Sequence, residues 1–212
     1  MKFLLDFLFP KKPSVLVLEA LTSGEILKTL PPATGPEGEN IIALFDYSHP
    51  VTKEIVWEIK YAGNRVLAEH MGEILYDFII DELEERRILS KEHSAILIPM
   101  PISDKRRFER GWNQAELLTK AIKKCDTTSS FKYLPGQLVK TIHTESQTRT
   151  SSKKEREQNL ANTMRVLNPL SVKDRFVVLI DDVVTTGSTF TEAKRALKAA
   201  GVKKILCIAI AH

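Results

Sequence analysis

Two adjacent carboxylates followed by small hydroxyl-bearing residues are the part of the sequence best suited to chemistry. Asp181 and Asp182 come directly after the apolar run at residues 177–180, which predicts both carboxylates at the exposed end of a buried strand. The loop that follows them contains Thr185, Thr186, Gly187, Ser188 and Thr189. Carboxylates accept hydrogen bonds from vicinal hydroxyls, and a glycine before a helix lets backbone amides approach a phosphate closely. The spacing predicts a site for a ribose 5-phosphate group; the alternative is a capped helix start with two acidic turn residues.

Two short polar segments concentrate the positive charge of a chain whose formal net charge is +4. They lie at residues 102–114 and 147–165. The first segment includes Arg106, Arg107 and Arg110. Local basicity favours an anionic partner, such as a phosphate group or a nucleic-acid backbone. A solvated surface face is the alternative for either segment.

Apolar patterns around these residues alternate between strand and helix. Predicted strands cover residues 95–98, 138–142, 163–167, 176–180 and 205–210. Helical spacing of apolar residues occurs at 51–59, 67–79, 115–122 and 190–200. This alternation predicts an α/β fold with a mainly parallel sheet flanked by helices. Ligands of such sheets bind beyond the carboxyl ends of the strands, which is where Asp181 falls.

The first forty residues are predicted to be a small extension of this domain. Residues 1–10 form a short apolar stretch that ends at Pro10, typical of an amphipathic helix packed on the domain, with peripheral membrane contact as the alternative. Residues 14–30 alternate weakly and look strand-like at their start, and a proline- and glycine-rich loop follows. We therefore place the extension at residues 1–40 and the main domain at 41–212.

Composition excludes several classes of protein. Hydrophobic residues make up 43% of the 212-residue chain, enough for a core. No run approaches the ~18–20 apolar residues that a membrane-spanning helix needs. Two cysteines, Cys125 and Cys207, suffice for neither a disulfide scaffold nor a four-cysteine zinc site. The glycine motifs of P-loop and dinucleotide-binding proteins are also missing, and the sequence predicts a compact cytoplasmic protein.

Residues 177–189 closely resemble the phosphoribosyl-pyrophosphate motif of type I phosphoribosyltransferases. Further motifs similar to those of the ComF family, competence-associated proteins of this type, lie at residues 60–65, 98–101, 106–114 and 147–159. The resemblance covers roughly residues 41–212 and implies a type I phosphoribosyltransferase fold. Typical members carry an N-terminal zinc ribbon, whereas residues 13–40 here contain no cysteine. The chain is identified as a variant without that ribbon.

The resemblance implies that phosphoribosyl pyrophosphate binds with Mg²⁺ and that its phosphoribosyl group is transferred to a nitrogenous base or related acceptor. Such glycosyltransferases displace pyrophosphate through a transition state resembling an oxocarbenium ion. Asp181 and Asp182 would contact the ribose hydroxyls, directly or through Mg²⁺. Arg106, Arg107 and Arg110 would neutralise the leaving diphosphate together with the metal.

The polar stretch at residues 144–159 resembles the flap that closes over such sites and excludes water. In the family's pattern, Gln147, Arg156 and Asn159 fall in this stretch. We therefore expect Gln147 and Arg156 to contact the substrate.

A non-catalytic member of the same fold is the competing hypothesis. Such a protein would bind a nucleotide or single-stranded DNA during DNA uptake, with competence or recombination proteins as partners. Phe108 and Trp112 lie among the basic residues and would suit stacking on bases; packing is the alternative for Trp112. A phosphoacceptor receiver domain is rejected because no aspartate follows Asp182. A homodimer is left open.

Overall fold

The computed structural model describes residues 11–35, 40–86, 88, 94–141 and 163–212. The predicted amphipathic helix at residues 1–10 lies outside these ranges. No helix in the described part of the chain combines the length and the hydropathy that a membrane crossing requires.

Helices and strands alternate along most of the chain. The helices are α1 (Pro13–Ala20), α2 (Ser23–Thr29), α3 (Pro50–Trp57), α4 (Arg65–Glu85), α5 (Asp104–Arg110), α6 (Gln114–Cys125) and α7 (Ser188–Ala199). A π-helix (Glu58–Ala62) joins α3 to the turn before α4, and a short 3₁₀ helix covers Pro169–Ser171. The strands are β1 (Ile41–Phe45), β2 (Ala95–Pro99), β3 (Phe131–Tyr133), β4 (Leu138–Lys140), β5 (Met164–Val166), β6 (Phe176–Val183) and β7 (Lys204–Ala211).

Five strands form one parallel sheet in the order β1-β7-β6-β2-β3. The remaining two strands, β4 and β5, form a separate antiparallel pair. The mainly parallel sheet predicted from the sequence is therefore confirmed. Strand β3 was missed, because its three residues are too few to show a period.

Helices cover both faces of the sheet, so it buries two apolar layers. In one layer, helices α1, α2, α3, α4 and α6 pack against sheet side chains such as Val178 and Ile180. The other joins α7 and the β4–β5 pair to Val177 and Leu179. Because consecutive strand residues point to opposite faces, β6 contributes alternate residues to each layer. Its run of β-branched and leucine residues is fully buried for this reason.

The strand-like expectation for residues 14–30 is wrong, since this segment forms α1 and α2. Pro13 stands in the first turn of α1, where its missing N–H costs nothing. A capping box between Thr22 and Glu25 begins α2. Val15 and Ile26 are fully buried in the same layer as the helices of the main domain. These helices therefore help to cover one face of the sheet.

Candidate functional site

The candidate site lies at the carboxyl edge of the sheet, where β2 and β6 end side by side. Pro99 pairs with Ile180 in the register, and the Met100 amide donates to the Ile180 carbonyl at 2.8 Å. The loop after β2, which leads to the three arginines, therefore opens at the same edge as Asp181 and Asp182. This juxtaposition was predicted from the topology of parallel sheets.

The two aspartates belong to β6 itself and serve opposite faces of the sheet. Asp182 shares its face with Val178 and Ile180, and Asp181 shares the other with Val177 and Leu179. The sequence predicted that both carboxylates lie at an exposed strand end. That expectation is wrong for Asp182, whose residue exposure is 3%.

Asp182 is held by two side chains, one from the π-helix and one from α6. The Lys60 ammonium lies 2.9 Å from its Oδ2 atom. The Gln114 amide donates to its Oδ1 atom at 3.3 Å, and Gln114 itself accepts a hydrogen bond from Arg110 at 3.1 Å. A buried carboxylate needs such partners, because desolvation penalises an unpaired charge.

Asp181 faces the layer that contains α7 and the β4–β5 pair. Burial of its carboxyl group and the adjacent charge of Asp182 hold the pKa of Asp181 well above its usual value. The Asp182 amide donates to its Oδ1 atom at 2.9 Å. A carboxyl group with a raised pKa that lies at a strand end is typical of a functional site, and hydroxyl donors or a cation would relieve its repulsion from Asp182.

Lys140 of β4 interacts electrostatically with Asp181 and with Arg106 of α5. Burial lowers the pKa of Lys140, the charge of Arg106 lowers it further, and the charge of Asp181 opposes both. Lys140 is the last residue of β4. Lys140 therefore interacts electrostatically with both Arg106 and Asp181, and such cationic side chains would attract a phosphate group.

The hydroxyl-rich loop connects β6 to the N-terminus of α7. Gly187 adopts φ +72° at the N-cap of this helix, a conformation that favours glycine. An added Cβ there would lie 3.4 Å from Ile41 Cδ1, so the requirement for glycine is mainly conformational. The Thr186 and Ser188 hydroxyls lie 2.9 Å apart, and Thr185 and Thr186 are exposed. The first amides of α7 have no acceptor within the helix and present partial positive charge to the loop.

The three arginines lie on or at the end of α5, a helix without a buried side chain. Ser103 caps its start and Gly111 ends it at φ +81°. Arg107 forms an ion pair with Glu116, and the Arg110 guanidinium lies 5.0 Å from the centre of the Tyr61 ring. Arg107 and Arg110 are thus held by neighbours, whereas the charge of Arg106 acts on Lys140.

The aromatic residues near the arginines have different environments. Trp112 donates its indole N–H to the Ile59 carbonyl at 3.2 Å and packs against the turn at Gly63. Phe108 is 91% exposed on α5. The structure therefore gives Trp112 a packing contact, whereas the Phe108 ring is open to solvent.

Three side chains at the site were missed by sequence reasoning, Lys60, Gln114 and Lys140, although the first two lie in motifs of the ComF resemblance. Lys60 belongs to a motif of the ComF resemblance, residues 60–65, but no contact with Asp182 was inferred for it. Lys140 carries no comparable signal, since only the pairing of β4 with β5 brings it to this edge. Gln147, Arg156 and Asn159, with the rest of the predicted flap, lie outside the described residues.

Asp181 and Asp182 are the residues that would hold Mg²⁺. Magnesium is commonly bound by one or two carboxylates together with substrate phosphates and water, and the like-charge repulsion at Asp181 fits a divalent cation. No group of three or more histidine, cysteine, aspartate or glutamate side chains in the described ranges could hold a metal ion. The pair fits a cation whose other ligands come from a bound phosphate ester or from water.

Part of the chain matches a known protein family. Residues 124–212 match the family model of the phosphoribosyl transferase domain. This match covers β6, the acidic pair, the hydroxyl-rich loop and α7. Together with the parallel five-stranded sheet, it defines a type I phosphoribosyltransferase fold.

Curated relatives resolve the class further. Competence protein F of Haemophilus influenzae is 29% identical over 174 residues, covering 80% of this chain and 71% of that protein. DNA utilization protein YhgH of Escherichia coli K12 is 27% identical, covering 76% of this chain and 67% of that protein. Competence protein ComFC of Streptococcus pneumoniae is 28% identical, covering 77% and 64%. These similarities, which extend over most of the chain, support the ComF resemblance that the sequence motifs indicated.

Solved phosphoribosyltransferase structures are similar to this chain at lower sequence identity. Hypoxanthine phosphoribosyltransferase from Trypanosoma cruzi, complexed with IMP, shows 12% identity and a TM-score of 0.41, covering 68% of this chain and 64% of that one. The allosteric regulatory enzyme of purine biosynthesis shows 17% identity and a TM-score of 0.41, covering 72% and 30%.

Proposed function

We propose that this protein binds phosphoribosyl pyrophosphate with Mg²⁺ at the carboxyl edge of its sheet and transfers the phosphoribosyl group to a nitrogenous base. The observation that carries the proposal is the direct succession of Asp181, Asp182 and the hydroxyl-rich loop at the start of α7. Carboxylates accept hydrogen bonds from the ribose hydroxyls, and the N-terminus of the adjacent helix suits the 5′-phosphate of the same sugar. The cationic side chains of Arg106 and Lys140 match the diphosphate group of the same ligand.

The residues divide the work of such a transfer between them. Asp181 would accept hydrogen bonds from the ribose hydroxyls, and the amides of the hydroxyl-rich loop would hold the 5′-phosphate. Arg106 and Lys140 would neutralise the negative charge that develops on the leaving diphosphate. When bound, Mg²⁺ supplies further stabilisation of that charge. The reaction needs no covalent nucleophile, since the C1–oxygen bond breaks as the C1–nitrogen bond forms.

A pyrophosphate-release assay with a panel of purine and pyrimidine bases tests transfer. We expect release from phosphoribosyl pyrophosphate that depends on one base, and we expect Asp181→Asn to abolish it. Asp174→Asn is the matched control, because Asp174 lies before the opposite end of β6. Release that does not depend on any base, or that survives Asp181→Asn, would contradict the proposed transfer.

Single-stranded DNA binding without turnover is the second candidate function. The exposed Phe108 ring on the basic helix α5 favours it, because aromatic and basic side chains together bind single strands. The relatives named for competence and DNA utilization add support. We expect Phe108→Ala to weaken oligonucleotide binding by about 1–3 kcal/mol per lost stacked base. Unchanged affinity in Phe108→Ala, measured by fluorescence anisotropy at several salt concentrations, would exclude this surface.

A further inference from the structure

Lys60 forms an ion pair that occupies one of the two carboxylates proposed to hold a divalent cation. Its ammonium lies 2.9 Å from Asp182, and the exposed fractions of the two side chains are 24% and 4%. We infer that Lys60 and a divalent cation compete for Asp182, so that the ligand-free protein keeps the cation away from this edge. The inference rests on the proposed function only for the kind of cation that the edge would receive.

The backbone around Lys60 is fixed, so the ion pair follows from the fold. Lys60 lies in the middle of the π-helix between α3 and the turn at Gly63. Gly63 has φ +62°, and a Cβ on it would lie 3.0 Å from the Trp112 ring. Trp112 also hydrogen-bonds the Ile59 carbonyl within this π-helix. The indole thus holds the short segment that aims Lys60 at the end of β6.

Asp182 depends on Lys60 for charge compensation. The Gln114 amide, which donates to Asp182 at 3.3 Å, is neutral. The charge of Lys60 also acts on Asp181, where it opposes the raised pKa that burial and Asp182 produce. One ammonium therefore offsets part of the repulsion between two neighbouring carboxylates, as a cation bound between them would.

Competition follows from charge and space. A divalent cation that contacts Asp182 Oδ2 must displace the Lys60 ammonium or accept its repulsion at short range. A ligand that brings phosphate groups changes this balance, because it offers Lys60 and the cation new anionic partners. Cation binding then becomes conditional on the anionic ligand, and the free protein avoids loading the edge with metal alone.

Binding of Mn²⁺ to the ligand-free protein, followed by electron paramagnetic resonance, tests the competition. Lys60→Met should bind Mn²⁺ about tenfold or more tightly than the unmodified protein. Lys60→Arg keeps the charge and should bind as weakly as the unmodified protein. Lys120→Met, an exposed lysine on α6, is the matched control and should also leave Mn²⁺ binding unchanged. Lys60→Met with Asp182→Asn should lose the gain.

Equal Mn²⁺ affinity in the unmodified protein and Lys60→Met would overturn the inference, as would a gain that survives Asp182→Asn. Lys60→Gln retains a hydrogen-bond donor to Asp182 without the charge and gives the same test if Lys60→Met does not fold. Thermal stabilisation of the unmodified protein by phosphoribosyl pyrophosphate is measured separately. A gain in Mn²⁺ affinity without such stabilisation would support competition and reject the proposed function; stabilisation without the gain would do the reverse.

Discussion

Asp181 and Asp182 are neighbours in the chain but have different environments. Asp182 is buried and paired with Lys60, whereas Asp181 faces the loop side with a raised pKa. The acidic pair was visible in the sequence because both residues follow the buried apolar run of β6. Their separate environments were not, because the partner of Asp182 lies far away in the chain and reaches it only through the packing of α6 and the π-helix.

Asp181→Asn is expected to stabilise the protein at neutral pH while it removes ribose binding. The folded-state pKa of Asp181 lies above its unfolded value, so its ionisation destabilises the folded state as pH rises through that interval. The melting temperature should rise, by roughly 2–4 °C for each kcal/mol gained. The gain should shrink as the pH falls toward about 3.9, where the unfolded carboxyl also takes up a proton.

Scanning calorimetry at several pH values measures this effect, and Asp174→Asn serves again as control. A melting temperature that falls in Asp181→Asn at neutral pH would show that the carboxylate is stabilising, in conflict with its raised pKa.

At the scale of elements, the site consists of a strand, a loop and the first turn of a helix. Strand β6 was predicted from its apolar run, and α7 from its spacing and the glycine at its end. Helix α5 was not predicted, because none of its side chains is buried and it has no apolar face to give a period. Its signals are local ones, the Ser103 cap and the left-handed Gly111.

Gly187→Ala is expected to weaken phosphate binding beyond its effect on folding. An alanine at φ +72° costs about 1–2 kcal/mol and shifts the loop amides away from the phosphate. Gly136→Ala is a matched control, since Gly136 has φ +73° and open space around a new Cβ. Both variants should unfold at similarly lower denaturant concentrations, but only Gly187→Ala should lose stabilisation by ribose 5-phosphate. Equal ligand binding in both variants would show that the loop only begins α7 and does not bind the phosphate.

Arg106→Met is expected to weaken the binding of phosphoribosyl pyrophosphate more than the binding of ribose 5-phosphate, because only the former ligand carries the diphosphate. Loss of a hydrogen bond to a charged group costs about 1.5–3 kcal/mol, and the effect is measured by calorimetric titration of both ligands. Lys105→Met on the same helix is the control for overall charge. Equal losses for the two ligands would remove the diphosphate role from Arg106. The same loss in Lys105→Met would assign the effect to general charge.

At the scale of the whole molecule, the sheet class followed from alternating patterns, while the N-terminal helices did not. Residues 15–18 are all valine or leucine and looked strand-like, yet they lie within α1, which Pro13 begins, and the Thr22–Glu25 capping box begins α2 after them. The β4–β5 pair brings Lys140 to the edge, and the predicted flap between these strands lies outside the described residues. The cytoplasmic location, the homodimer and the flap contacts of Gln147 and Arg156 stay predictions.

Calorimetric titration of the unmodified protein with phosphoribosyl pyrophosphate and Mg²⁺ measures whether the carboxyl edge of the sheet binds this ligand. We expect one saturable site, loss of binding in Asp181→Asn, and stabilisation of the fold by about 2.7 kcal/mol when the ligand is at a hundred times its Kd. No heat of binding and no stabilisation at millimolar ligand, with single-stranded DNA bound instead, would contradict this expectation.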